Sequence, residues 1–380
     1  MSWLLVLAAA AFGLLLLGWV AYPAVMGWIG ARPRAPLADP AEWPAVSVVI
    51  ATREPPEVLE ARVANLRAMA YPADRLEIVV ALDHAVADRA AAMRAALGPS
   101  VVVVTGGPPG GKGTALVAGV AAAAHELVLF ADSTQRFLPD TLQQLVRAIG
   151  APRVAAVSGA LDQQAGDGFI DLFWRLELAI RTGQSALHSI VTTSGAIVLA
   201  RKALWTPPPA GIISEDLFHT TDLVMRGHRV TFAPGALALD HRKFSRDQQY
   251  QRRVRTLTGL LQVIALRPAI LLPWRNPTWL HFVLHKLVRI ATPLLALLAA
   301  GAAGLWAALA APRVALAGAG LGAAALALLA LARPAMAARL LDRAGWALRL
   351  ATAPLVALGN GLRGRWDVWH QHRPVGGRAA

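Results

Sequence analysis

Charged and apolar positions divide the chain into segments of different character. From Ser2 to Ala31 no side chain is charged, and Ile290–Pro312 and Val314–Ala332 are two further uncharged runs. At 1.5 Å per residue, helices of about 30, 23 and 19 residues can each cross a hydrocarbon core of roughly 30 Å. A fourth run, Leu350–Leu362, carries Pro354, Gly359 and Gly361. Its length of about 13 residues suits a half-embedded or interfacial segment. In the middle of the chain the pattern becomes short and β-branched: VSVVIA (46–51), LEIVVAL (76–82), SVVVVT (100–105) and ELVLFA (126–131). These runs are continuous rather than alternating, which predicts strands buried on both faces. Helix-like stretches follow them at 56–69, 86–97, 114–124 and 138–149. Strand and helix in alternation predict an α/β domain with a mostly parallel sheet, inserted between transmembrane helices.

Such sheets bind ligands beyond the carboxyl ends of their strands, so the residues after each run form the candidate site. The first run ends in Thr52, Arg53 and Glu54, the second in Asp83, the third in GGPPGGKG and the fourth in Asp132. Gly106–Gly111 with Lys112 approaches a P-loop, but Gly113 stands where that motif needs Ser or Thr, and Thr114 arrives one residue late. The stretch still supplies backbone N–H groups at a helix start and a lysine, which suit a diphosphate. A plain helix-capping loop is the alternative. For Asp132 alone, the alternative is a strand ending at a polar turn.

In their order, these motifs resemble the membrane-bound family 2 glycosyltransferases. That group has a GT-A nucleotide-sugar domain and includes cellulose, chitin and hyaluronan synthases and ceramide glucosyltransferases. The resemblance runs from VSVVIATRE to HKLVRIATPLL. It implies that Thr52 and Glu54 line the nucleotide, that Asp83 holds the base, and that Gly111 and Lys112 in GKGTAL meet the diphosphate. It makes Asp132 the first carboxylate of an Asp-x-Asp, ligating Mg2+ or Mn2+, with Thr134 in the second position. One carboxylate with phosphate oxygens and waters suffices for such a cation. TTSGAIVLARKAL (192–204) resembles the acceptor region. In ISED, Asp216 matches the general base, with Glu215 beside it; a helix N-cap at Ser214 is the alternative reading and is compatible with the first. Arg255 keeps the Arg of the family's Gln-x-x-Arg-Trp while Arg252 replaces its Gln; the two would contact diphosphate or headgroups, with a basic interfacial helix as the alternative. Thr256 replaces the family's tryptophan, which counts against processive polymerisation. Glu177 and Arg181, four apart on a helix-like stretch, predict a structural salt-bridge pair. His241 is expected as a surface histidine, or else near the metal.

Composition extends this picture. The 380 residues are 56% hydrophobic, with a mean hydropathy of +0.48, too apolar for an ordinary soluble domain. The first run has no basic segment before it and is too long for a signal peptide, so an anchor is expected. The formal charge of +14 comes largely from residues beside the apolar runs and between Arg242 and Arg255, which predicts contact with membrane lipids and no nucleic acid. Arg32, Arg34, Arg267, Arg275, Lys286 and Arg289 put the middle segment on the cytoplasmic side. Arg363, Arg365, Arg373 and Arg378 put the tail there too. There is no cysteine, which excludes disulfides and Cys-ligated metals. The expected organisation is an N-terminal helix at 1–31, a cytoplasmic GT-A domain at 43–266, an interfacial segment at 267–289, two spanning helices at 290–332, and interfacial helices with a basic tail at 333–380. The expected protein is an integral membrane enzyme of a bacterial inner (cytoplasmic) membrane. It would be an inverting glycosyltransferase moving a sugar from a nucleotide-diphosphate sugar, UDP-linked by resemblance, to a lipid-linked or glycan acceptor. A processive polysaccharide synthase and a degenerate nucleotide-sugar-binding scaffold are the alternatives.

Overall fold

The computed structural model describes residues 2–33, 37–162 and 168–367; Arg34, Arg373 and Arg378 lie outside them. In chain order the helices and strands begin with α1 (Ser2–Gly30), β1 (Val46–Thr52), α2 (Pro56–Arg67), β2 (Leu76–Leu82), α3 (Ala90–Leu97) and β3 (Val101–Thr105). There follow α4 (Lys112–Ala122), β4 (Leu127–Ala131), β5 (Arg136–Phe137), α5 (Thr141–Ile149), β6 (Val154–Asp162) and α6 (Gly168–Leu187). The rest are β7 (Ile197–Arg201), α7 (Glu215–Met225), β8 (Arg229–Leu239) and α8 (Arg246–Leu266). After these come α9 (Trp279–Ala310) and α10 (Pro312–Ala332), and α11 (Pro334–Leu362). Two compact units form: Ala24–Lys243 with Gly259–His281 and Trp366–Ala380, and Met1–Pro23 with Phe244–Thr258 and Phe282–Arg365.

The first of these units holds one eight-stranded sheet in the order β3-β2-β1-β4-β7-β6-β8-β5. The four strands expected from sequence are all parallel to one another. β7 then runs antiparallel to both β4 and β6, β8 is parallel to β6, and β5 is antiparallel to β8. The sheet is therefore mixed, and its parallel half is the part written as continuous apolar runs. Burial explains that writing. In β1, Val46, Val48 and Ile50 face one core cluster, Val49 faces the other, and all four are fully buried. The helices carry matching stripes, such as Leu142, Leu145, Val146 and Ile149 on α5. Chain order reverses at β1, which pairs β2 on one side and β4 on the other. This switch point opens a crevice beyond the carboxyl ends of β1 and β4.

In the other unit, the first part of α1 packs along α9. Trp19 Nε1 donates to Thr292 Oγ1 (2.8 Å), and the Arg289 guanidinium lies 4.6 Å from the Trp19 ring centre. Among the described residues, three helices, α1, α9 and α10, are long and apolar enough to cross a membrane. α9 starts at Trp279 rather than near Ile290, because its helical path continues through a π-turn at Val283–Leu287 that carries His285 and Lys286. The run at 350–362 is the end of the longer α11. Asp342 and Arg349 of α11 pair with Arg246 and Asp247 of α8, both at 2.6 Å.

Gly159 sits where the β6–β8 register shifts, and a Cβ there would meet the Ala236 carbonyl oxygen at 2.5 Å. Gly159→Ala is expected to destabilise the protein by about 1–3 kcal/mol, as overpacking against fixed backbone does. A lower thermal unfolding midpoint in detergent checks this.

Candidate active site

Each strand end delivers one part of the crevice. At the end of β1, Thr52 is buried and its Oγ1 accepts the Glu54 N–H (2.9 Å). At the end of β2, Asp83 is almost wholly buried. Its Oδ2 accepts from Arg53 Nε (2.7 Å) and Gly111 N (3.0 Å), and its Oδ1 accepts from Ala85 N (3.0 Å). Burial alone would raise this carboxyl, but the Ala85 N–H, the Arg53 guanidinium and the Gly111 N–H outweigh it and hold Asp83 below the usual range. Asp83 thus fastens the glycine-rich loop to the turn after β1, and Arg53 remains half exposed beside it.

At the end of β4, Asp132 keeps about a third of its side chain exposed. Lys112, the first residue of α4, places Nζ 2.9 Å from Asp132 Oδ1 and 2.7 Å from Glu215 Oε1 at the start of α7. The two carboxylates more than offset the burial of this ammonium and raise its pKa. Glu215 answers in the opposite sense: burial would raise it, but Lys112 holds it low. Gly195 leaves room for this contact, since a Cβ there would lie 3.2 Å from both Lys112 Nζ and Glu215 Oε1 and 3.8 Å from Asp216 Cβ. Asp216 is half-buried, with Oδ1 accepting the Leu217 N–H (2.8 Å). Ser214 does occupy the N-cap position, but its side chain makes no capping bond. The loop leading to it is fixed by Gln262, which accepts from Ile213 N (2.8 Å) and donates to Gly211 O (3.1 Å).

The structure therefore gathers Thr52, Glu54, Asp83, Gly111, Lys112, Asp132, Glu215 and Asp216 at the strand ends of one sheet. Arg252 and Arg255 lie on the part of α8 that belongs to the other unit; there the Arg252 guanidinium stands 3.9 Å from the Phe244 ring centre. His241 is exposed. The expected Glu177–Arg181 ion pair does not form. Arg181 has no hydrogen-bond or ion-pair partner among the described residues, and its Nε is buried. Spacing on one helix face permits such a pair, but here both side chains turn to the lining of a cavity.

Several residues of the site were not foreseen. Arg62 of α2 is completely buried, donates from Nε to the Asp132 carbonyl (3.1 Å), and stacks 4.0 Å from the Phe137 ring centre. Burial, with Arg136 nearby, lowers its pKa to about 9, so it stays charged at neutral pH. A signal was available, since Arg62 falls within the apolar stripe of Leu59, Val63 and Leu66. At the end of β8, Asp240 accepts from Arg242 Nε and from one of its terminal nitrogens (both 2.8 Å), and from Gln135 Nε2 (3.2 Å). Among the described residues no three His, Cys, Asp or Glu side chains cluster as a metal cage. Asp132, partly exposed and with one oxygen turned to Lys112, fits a cation that draws its remaining ligands from phosphate and water.

The sequence profile of the family described as glycosyltransferase-like family 2 matches residues 44–259. No curated protein matches in sequence. Among solved structures, the mannosyltransferase PcManGT from Pyrobaculum calidifontis, in complex with GDP-Man and Mn2+, is similar with 22% identity and a TM-score of 0.65, covering 94% of this chain and 99% of its own. Glucosyl-3-phosphoglycerate synthase from Mycobacterium tuberculosis, bound to Mn2+, UDP and glucosyl-3-phosphoglycerate, has 17% identity and a TM-score of 0.41, covering 58% and 79%. Mannosyl-3-phosphoglycerate synthase from Rubrobacter xylanophilus has 19% identity and a TM-score of 0.39, covering 58% and 74%.

His219 lies one turn beyond Glu215, 5.1 Å from the Trp205 ring centre. Burial lowers its pKa to about 4, with Arg267 adding to the effect and Glu215 and Asp222 opposing it. An unfolded imidazole titrates near ~6.5, so the unfolded chain takes up the proton first and stability falls as pH drops from about 6.5 towards 4. Between pH 7 and 4.5, His219→Asn is expected to lose about 2–3 kcal/mol less stability than the wild type, read from denaturant unfolding at both pH values.

Proposed function

The chain belongs to glycosyltransferase-like family 2 and is a glycosyltransferase; on that premise we propose an inverting enzyme that works at the cytoplasmic face of a membrane. The observation that carries the reading is Lys112 Nζ held between Asp132 and Glu215, at 2.9 and 2.7 Å, with Asp216 adjoining. The donor is a nucleoside-diphosphate sugar, with UDP the nucleotide that the motif resemblance favours. Its base lies at the Arg53–Asp83 end, and its diphosphate lies across the glycine-rich loop and the start of α4, where Gly111 and Lys112 stand. Lys112 exchanges a carboxylate partner for phosphate oxygens.

In the transfer, the acceptor hydroxyl oxygen attacks the anomeric carbon from the face opposite the diphosphate. Asp216 takes the hydroxyl proton as that bond forms, and the bond to the diphosphate oxygen breaks with its electron pair. Lys112 counters the charge that develops on the leaving group. Asp132 would hold Mg2+ or Mn2+, which supplies further charge neutralisation when bound; the Mn2+ of the Pyrobaculum complex makes manganese the first ion to try. Arg62 keeps the Asp132 backbone in place from beneath. The acceptor is lipid-linked or a glycan. The three long apolar helices support membrane embedding, with spans at α1, α9 and α10, and α11 at the interface. Thr256, where the resemblance expects an aromatic ring, favours single transfer over processive polymerisation.

Asp216→Asn is expected to lower kcat by roughly 10²–10⁴-fold with nucleotide affinity unchanged, as loss of a general base does. Asp132→Ala is expected to abolish Mn2+-dependent binding of the nucleotide, measured by calorimetry. Full transfer by both variants would overturn the mechanism.

A further inference from the structure

The Lys112 ammonium sits in a cradle of oxygens. Asp132 Oδ1 lies 2.9 Å from Nζ, Glu215 Oε1 2.7 Å and the Gly195 carbonyl oxygen 3.4 Å. They come from the end of β4, the start of α7 and the turn before β7, so the sheet rather than the local sequence assembles them. Two of the three oxygens belong to carboxylates, which sets two negative charges against one positive. Mg2+ and Mn2+ take hard-oxygen sets of this kind. Mg2+ bonds its oxygens at about 2.0–2.1 Å, inside the distances at which Nζ stands. A dication therefore needs no wider space than the ammonium already fills.

The carboxylate assigned to the metal is thus engaged before any metal arrives. A divalent cation approaching Asp132 meets a positive charge on the same carboxylate. The site is partly shielded from water, and there like charges repel more strongly than in bulk solvent. A diphosphate changes this balance. Its oxygens accept from Nζ in charge-assisted bonds, and Lys112 opens α4 directly after the glycine-rich loop. The flexible four-carbon stem of a lysine lets its ammonium swing between neighbouring acceptors with the backbone in place.

From this we propose that Lys112 holds the place of the metal in the donor-free enzyme and yields it when a diphosphate draws the ammonium away, so that divalent cation and nucleotide bind together and each poorly alone. The proposal rests on the donor reading given above and extends it to the order of assembly. A lysine in this role differs from one that merely grips phosphate in what its loss does. Removing the ammonium leaves Asp132, Glu215 and the Gly195 carbonyl with two unbalanced charges, a set that binds a divalent cation with no nucleotide present. Removing a lysine that merely grips phosphate leaves nucleotide-free metal binding as it was.

The test titrates Mn2+ into the full chain in detergent and follows the electron paramagnetic resonance signal of the free ion. It is run with no nucleotide and with saturating UDP or GDP, the Mn2+ held by nucleotide in solution being subtracted. In the wild type, UDP or GDP is expected to tighten Mn2+ binding by about tenfold or more, and Mn2+ to tighten that nucleotide by the same factor. Without nucleotide, Lys112→Met is expected to bind Mn2+ about tenfold or more tightly than the wild type, since site charge sets cation affinity. Mn2+ should then raise the thermal unfolding midpoint of that variant. Lys112→Arg, which keeps the charge, should stay as weak as the wild type. Adding Asp132→Asn to Lys112→Met should abolish the gained site, which locates it in the cradle. Nucleotide-free Mn2+ binding by Lys112→Met no tighter than by the wild type would overturn the proposal. So would a wild type that takes up Mn2+ equally well with and without nucleotide; this comparison needs no variant and decides alone if Lys112→Met does not fold. Failure of the wild type to bind UDP or GDP at any Mn2+ concentration is a separate result. It removes the donor reading, while the nucleotide-free comparison of wild type and Lys112→Met still judges the cradle.

Discussion

One half-buried ammonium joins the two halves of this sheet. Lys112 comes from the parallel half, on the helix that follows β3, and reaches Asp132 at the end of β4 and Glu215 at the start of α7. Without a cation there, two carboxylates would face each other with little water between them, and one would have to take up a proton. With it, the glycine-rich loop, the β4 end and the α7 start share one position. Gly195 matters for the same reason, because the space it leaves is taken by the Lys112 ammonium and the Glu215 carboxylate.

Arg62 supports this arrangement from below. A fully buried guanidinium is an expensive group to place in a core. Here it has the Asp132 carbonyl, Asn65 Oδ1 (2.6 Å) and the face of Phe137 as company. Asn65 in turn bonds the Phe137 backbone in both directions (2.9 and 3.0 Å). The turn after β4 is thus fixed by side chains of α2, an element far away in sequence. The polar turn Asp132–Gln135 is rigid because of these neighbours and of Asp240, which Gln135 reaches at 3.2 Å.

How much of this was legible varied by physical cause. Continuous apolar runs marked β1 to β4 to within a residue or two. Strands β1, β2 and β4 are largely buried on both faces and have no polar side to disguise them, whereas β3, at the edge of the sheet, leaves Val102 exposed, so the expected two-sided burial does not hold there. The groups at their ends were legible for the same reason: Thr52, Asp83, Lys112 and Asp132 follow directly from where each run stops. β7 was not recoverable as an antiparallel insertion, since a run such as Ile197–Arg201 says nothing about its direction. The state of Asp83 was hidden as well, because its three donors come from separate turns. The Glu177–Arg181 spacing misled: a helix face allows the pair, while the cavity beside α6 decides where each group turns. Charge does not mark the start of α9, because the helix carries Lys286 and Arg289 within it.

Asp83 ties two tasks to a single carboxylate. One of its oxygens, Oδ2, holds both the Arg53 guanidinium and the Gly111 backbone of the loop. On the donor reading proposed above, a change that retunes the arginine for a different heterocycle also loosens the loop, so preference for a base and grip on the pyrophosphate would drift together through sequence space.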